Sequence, residues 1–517
     1  MSTPQPTTAT TLPAAAEGTA LDKGLKRGAL GLGASIVLGI SSTAPAYALA
    51  ATLGFVVVAV GVKAPAIMLL AFVPMWLIAL AYAELNRHEP DCGTTFTWAA
   101  RAFGPRTGWM GGWGIIAADV IVMANLAQIA GSYGYRLVGL DSLADSTAWT
   151  TAAGVGWIAL MTWICWRGIE PTARVQSVLL VVEVVVLVAF AVYALAKVYA
   201  GTAPAGALMP SLSWLWPAGL DWAQLTEATL LAIFIYWGWD SAMAVNEETR
   251  DPATAPGRSV LIATVLLVTI YTVLTVATVA FAGVGPEGIG LGNEANAEDV
   301  FAALGSAVFG DDLFGRAFEA LLVLSVLTSA AACTQTTILP TARGTLSMAA
   351  YRALPTSFAR IHPRYLTPSV STIWMGAVSI VFYVGLTLVS DNVLQDSIAA
   401  TGMLIAFYYG LTGFACAWQF RRRLRSARDV LVRLVLPLAG GALMLVVFVL
   451  ACIEYADPGY GETVFFGVGG VFVVGLGSLL LGLLLMAAWN AVAPAFFRGE
   501  TMRRDTQELL LRPDQPG

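Results

Sequence analysis

Apolar residues in this chain collect into long runs separated by short polar stretches, instead of alternating singly or in threes and fours. Runs of about 18 residues or more can cross the hydrocarbon of a bilayer as a helix. They fall at 29–58, 64–85, 108–138, 149–166, 173–198, 225–245, 258–284, 315–343, 368–389, 396–419, 430–453 and 463–489. The pattern predicts an all-α polytopic membrane protein with 12 transmembrane helices. Two runs are interrupted. In the first, Gly39-Ile40-Ser41-Ser42-Thr43-Ala44-Pro45 puts small hydroxyl residues and a proline at mid-membrane. In the sixth, Tyr236-Trp237-Gly238-Trp239-Asp240-Ser241 puts a glycine and a carboxylate there. A proline kink or a glycine packing notch accounts for either one alone. Together they predict two discontinuous helices, at matching places in two halves of an inverted repeat, around a midplane substrate site.

Composition and charge sharpen this picture. Of 517 residues, 57% are hydrophobic and 12% charged, about half the ~25% charge of soluble domains, which excludes a water-soluble fold. Lys and Arg stay on the cytoplasmic side during insertion. With the N-terminus inside, 24 of the 28 basic residues fall inside, and Lys63, Arg136, Lys197 and Arg316 fall outside. One helix more or fewer would invert every later loop, so both termini are expected in the cytoplasm. The block Arg421 to Arg433 follows the same bias and attracts anionic lipid. A net charge of −5 with no basic domain argues against a nucleic-acid partner. Five scattered cysteines and two histidines offer no metal-ligand spacing, so no metal and no cofactor is expected. The polar stretch before the first run reads as a disordered tail without a cleaved signal. The excess of Arg over Lys with abundant Ala and Gly hints at a bacterial source.

Ionisable residues inside membrane spans are costly and mark functional positions. Asp119 in span three, Glu183 in span five and Asp240 in span six are the deepest, and are the candidates for coupling transport to protons.

Three stretches carry a family resemblance. The loop Glu89-Pro90-Asp91-Cys92-Gly93 through Arg101-Ala102-Phe103-Gly104-Pro105 resembles the amphipathic loop after helix two of the amino acid/polyamine/organocation (APC) superfamily of secondary transporters. Phe234 to Pro256, with Gly238-Trp239-Asp240 and Asn246-Glu247-Glu248-Thr249-Arg250-Asp251-Pro252, resembles its sixth helix and the loop that follows. Ala342-Arg343-Gly344 through Pro363-Arg364 is similar to its loop after helix eight. The resemblance implies the leucine-transporter-like fold: a five-plus-five inverted repeat with broken helices 1 and 6, plus two extra helices. It divides the chain into a tail at 1–28, a transport core at 29–420 with repeats about 29–198 and 225–420, helices 11–12 at 421–490 and a cytoplasmic tail at 491–517.

By the same resemblance, Ser41, Ser42 and Thr43 frame a substrate carboxylate, while Phe234, Tyr236, Trp237 and Gly238 surround the amino group and side chain. Helix-end physics agrees: free N–H groups suit a carboxylate and free C=O groups an ammonium. Tyr236 or Trp237 serves as an aromatic gate. Glu183 departs from the family pattern, which often has lysine there, and is the preferred proton-coupling residue. Sodium coupling would need Ser325, Thr328 and Ser329, whose hydroxyls more often bond back to their own helix.

The function expected is a permease of the cytoplasmic membrane that imports an amino acid or related small amine by alternating access with proton coupling. An amino acid/amine exchanger and a non-transporting sensor of the same fold are the alternatives. An enzyme is disfavoured, since no Ser/His, paired-Asp or HExxH constellation lies at membrane depth. The bilayer and the small-molecule substrate are the partners, with helices 11 and 12 available for a homodimer.

Overall fold

The computed structural model describes residues 23–502 except 298, 311 and 390. Of the predicted tails at 1–28 and 491–517, residues 1–22 and 503–517 lie outside the described residues. In hydrocarbon every backbone polar group must be bonded within the protein, which a helix does locally. The apolar runs accordingly fold as helices, and the chain is an all-α polytopic membrane protein. Among the described residues, ten helical stretches are long and apolar enough to cross a bilayer.

Two of the twelve predicted runs are not separate long helices, for identifiable reasons. The first stretch, Leu32–His88, joins two predicted runs and contains α1 (Leu32–Ser42), α2 (Pro45–Val60) and α3 (Ala64–His88). Ala44 adopts a left-handed backbone (φ 47°) and ends α1, and Pro45, which has no N–H to lose, starts α2. After α4 (Thr95–Phe103), Gly104 at φ 101° turns the chain and Pro105 opens α5 (Pro105–Leu137). Next come α6 (Thr147–Trp166) and α7 (Ile169–Tyr199).

The sixth run is cut into α8 (Trp222–Ile235) and the single turn α9 (Ser241–Ala244). A capping box between Asp221 and Gln224 starts α8. Beyond it lie α10 (Ala255–Ala282), the short α11 (Val300–Phe309) and α12 (Leu313–Ala350). The acidic loop around α11 folds onto the helices: Phe301 packs edge-on against Phe190 of α7, ring centroids 5.2 Å apart. At 38 residues, α12 runs about 57 Å. It brings Ser329 to the first turn of α2 and carries Arg343 and Ser347 about 21 to 27 Å further along. The bundle finishes with α13 (Ser369–Val389), α14 (Asp391–Phe420), α15 (Leu436–Glu454) and α16 (Gly470–Val492). The last helix begins at Gly470, later than the predicted 463, because Val464–Phe465 and Val468–Gly469 pair as a small hairpin.

Candidate substrate site

The site is built where the broken helices meet. Gly238 takes φ +117°, and a Cβ there would run into the Ser42 carbonyl, so only glycine lets the break between α8 and α9 approach the break between α1 and α2. Ser42 and Ser241 hydroxyls share a 2.7 Å hydrogen bond across this contact, and Ser241 also donates to the Thr336 carbonyl of α12 at 3.1 Å.

At a helix start the first N–H groups lack partners within the helix. In α2 all of them are engaged inside the protein. Ala46 N–H donates to Glu183 Oε1 at 2.7 Å, Tyr47 N–H to Ser329 Oγ at 3.3 Å, and Ala48 N–H to the Ala44 carbonyl at 2.8 Å. Ser329 in turn donates to Glu183 Oε1 at 2.7 Å. Glu183 is fully buried, and its other oxygen has no hydrogen-bond partner. Ser325 and Thr328 donate back to carbonyls of their own helix, as their residue types predict.

A narrow cleft lies beside the two breaks, lined by Ser42, Ile115, Asp119, Trp237, Gly238, Asp240, Ser241, Thr337, Pro340 and Tyr408. Two carboxylates face it, and it has no Lys, Arg or His among the described lining residues. Asp240 accepts from Tyr409 at 2.8 Å and Tyr408 at 3.3 Å, both on α14. The Tyr408 hydroxyl also accepts from Trp237 Nε1. Asp119 accepts from the Thr341 hydroxyl. A second small cavity shares Ile115, Asp240 and Pro340 with the cleft and reaches Gly93, Thr94 and Gly344 near α4.

The predicted site residues separate into two sets. Ser42, Trp237, Gly238, Asp119 and Asp240 come together at the cleft. The others do not line it. Ser41 is buried with its hydroxyl unpartnered, and Thr43 donates back to the Ile40 carbonyl at 2.7 Å. Tyr236 points to α3, its hydroxyl on the Met68 carbonyl at 2.9 Å and its ring against Tyr271. Phe234 packs on Trp237, centroids 6.4 Å apart. Glu183 sits behind the α1–α2 break, on α2's first turn. Thr337, Pro340 and Thr341 were not singled out by sequence; only a helical wheel of α12 phased on Ser329 would have suggested them. Asn125 and Gln128 bond between helices, to Leu394 and Tyr383.

A buried ionic cluster closes the end of the bundle that carries α4. Lys23, counted by sequence with the tail, is fully buried and donates to Asp91 Oδ2 at 3.0 Å and Glu247 Oε1 at 2.5 Å. Asp91 also accepts from Gly93 N–H and from the Thr97, Ser347 and Tyr351 hydroxyls. Burial pushes the Asp91 carboxyl up, but the Lys23 ammonium with the Gly93 and Ser347 donors outweighs it and holds it at about 2. Glu247 is instead raised, by burial and by the neighbouring Asp91 charge that one lysine does not fully offset. Beside them Arg343 makes a two-pronged pair with Glu248, at 2.6 and 3.0 Å. The three loop motifs thus converge on one cluster. Asp91, Cys92 and Glu247 present ligand atoms within 4.8 Å of one another, but the Lys23 ammonium already supplies the positive charge a metal ion would bring.

The sequence profile of the amino acid permease family matches residues 29–494. The chain is 27% identical over 300 residues to an uncharacterized transporter of Mycobacterium tuberculosis, covering 58% of this chain and 61% of that protein. It is 23% identical over 373 residues to the low-affinity putrescine importer of Escherichia coli, covering 72% and 77%. To a branched-chain amino acid permease of Lactococcus lactis it is 26% identical over 233 residues, covering 42% and 49%. These relatives are named as transporters, not enzymes, and the match runs across nearly all the helices described above: the chain belongs to the amino acid permease family of the APC superfamily.

Proposed function

We propose that the protein imports a small amine, with amino acids as the weaker substrates, as a proton-coupled secondary transporter working by alternating access. One observation carries the preference for an amine. The first-turn N–H groups of α2, which would otherwise greet a substrate carboxylate, are taken by Glu183, Ser329 and Ala44. The cleft wall instead offers the carboxylates of Asp119 and Asp240. A protonated amine finds acceptors there, with Trp237 available for a cation–π contact. That one relative is named as a putrescine importer supports the same reading.

In this reading the chain crosses the cytoplasmic membrane of a bacterium twelve times, with α1–α2 and α8–α9 as the broken first and sixth helices of an inverted repeat and both termini inside. Asp240, Trp237 and Ser42 hold the substrate, and Asp119 takes a second ammonium where there is one. Glu183 carries the coupling proton: its protonation changes the charge beneath the first turn of α2 and hence the balance between two positions of the broken helix.

Uptake by the purified protein in proteoliposomes tests this, with labelled putrescine and labelled leucine, each with and without an inward proton gradient. Concentrative, gradient-dependent putrescine uptake is expected. Counterflow without a gradient would make it an exchanger, and saturable binding without accumulation a sensor. Leucine uptake that excess putrescine leaves untouched would overturn the amine preference.

A further inference from the structure

The arginine-rich segment after α14 does more than add charge near a membrane surface. Its guanidinium groups converge on a hollow at the ends of α3 and α14, lined by Glu84, Arg87, His88, Arg422, Arg423 and Arg425, among others. Arg433, which also lines it, is matched by Glu84 at 2.8 Å and Asp429 at 3.1 Å, and Arg87 by Glu84 at 3.1 Å. The side chains of Arg422, Arg423 and Arg425 are exposed and have no carboxylate partner among the described residues. Arg423 instead lies 2.6 Å from His88 Nε2.

A second feature is built by the same end of α14. An apolar groove between α4, α14 and the start of α15 is lined by Phe103, Leu411, Phe414, Trp418, Leu434 and Leu438, and Arg421 stands at its mouth. The Arg421 guanidinium stacks 3.6 Å over the half-exposed Trp418 ring, the residue type that settles at headgroup depth. A positive hollow and an apolar groove built by the same end of α14, with Trp418 and Arg421 on the groove and Phe420 and Arg422 on the hollow, match a molecule with an anionic head and a hydrocarbon tail. A soluble anion would use the hollow and leave the groove unexplained.

We propose that hollow and groove form one binding site for an anionic phospholipid. The phosphodiester pairs with Arg422, Arg423 and Arg425, and an acyl chain lies along Phe414 and Leu438. Such a lipid would bridge the α3 and α14 ends, next to the loops that hold the Asp91 cluster.

Thermal unfolding of the full chain in mixed micelles tests the proposal, with phosphatidylglycerol, phosphatidylcholine or inorganic phosphate added separately. Phosphatidylglycerol is expected to raise Tm by about 3 °C or more over phosphatidylcholine, with no rise from phosphate. The R422Q/R423Q/R425Q variant should lose that increment. An equal rise with phosphatidylcholine, the same rise with phosphate alone, or an increment that survives in the variant would each overturn it. Native mass spectrometry of the wild-type chain decides the matter even if the variant does not fold: phosphatidylglycerol should stay bound at collision energies that strip phosphatidylcholine, and equal retention refutes the site.

Discussion

Gly238 and Ser42 touch backbone to backbone, so the two helix breaks form one structural unit. Alanine at 238 would meet both an unfavourable φ of +117° and the Ser42 carbonyl. G238A is expected to cost about 2–3 kcal/mol and to abolish uptake, because the helices that must rearrange are pushed apart. G33A, where a Cβ meets nothing within 4 Å, is the control and should leave both Tm and uptake nearly unchanged.

Asp240 is held by two tyrosine hydroxyls and faces the cleft. D240N keeps the shape and removes the charge, so affinity for a protonated amine should fall at least about tenfold. Y409F removes only one supporting bond and should weaken binding less, by about 1 kcal/mol. Ligand-induced Tm shifts with putrescine, ranked wild type above Y409F above D240N, check this order.

Glu183 should separate coupling from folding. E183Q can still accept from Ala46 N–H and Ser329, so the protein should fold and bind substrate. It carries no exchangeable charge, so uptake should stop responding to an imposed pH gradient. E183A leaves Ala46 N–H without its acceptor and should lose about 1–3 kcal/mol as well. Gradient-driven uptake persisting in E183Q would defeat the assignment.

Replacing Lys23 with methionine leaves Asp91 and Glu247 buried without their cation, and is expected to cost about 3 kcal/mol. The added D91N change should recover part of that. The pH dependence has a definite sign. Asp91 drops from 3.8 to about 2 on folding, so its contribution is present above about pH 4 and is lost as the pH falls through about 2. Lys23 is raised above 10.5, since its two carboxylates outweigh burial, so its contribution is lost only at higher pH still. In K23M the two buried carboxyls lose the charge that holds them down, so they take up protons as the pH falls and the Tm gap to wild type should be widest at pH 8 and narrow towards pH 5. No gap at pH 8 would mean the pair does not stabilise the fold.

Much of this architecture was legible because hydrocarbon leaves the backbone few options. The apolar runs located the helices, and the proline and glycine inside two of them located the breaks. The carboxylates within spans marked Asp119, Glu183 and Asp240, since each is too costly to be incidental. Direction was harder to read. Tyr236 and Trp237 are neighbours in sequence, yet the turn ending α8 sends one hydroxyl to Met68 and the other ring into the cleft. Serial position does not reveal that a backbone leaves helical geometry between two such residues. Lys23 was missed for another reason: a single lysine after a Ser/Thr/Pro-rich stretch looks like solvated tail, and its partners lie 68 and 224 residues away.

That placement of Lys23 bears on how the protein is handled. The residues before the first helix invite removal when an expression boundary is chosen, because their sequence is polar and rich in Ser, Thr and Pro. Cutting at residue 28 would delete Lys23 from the Asp91 carboxylate and leave Leu30, whose N–H bonds the Glu248 carbonyl at 3.0 Å, one residue from the new chain end. Cutting at residue 22 would keep Lys23 in place. Six residues that resemble packaging thus decide whether a shortened protein retains its closed end, and the same boundary is the natural place to attach or avoid a fusion partner.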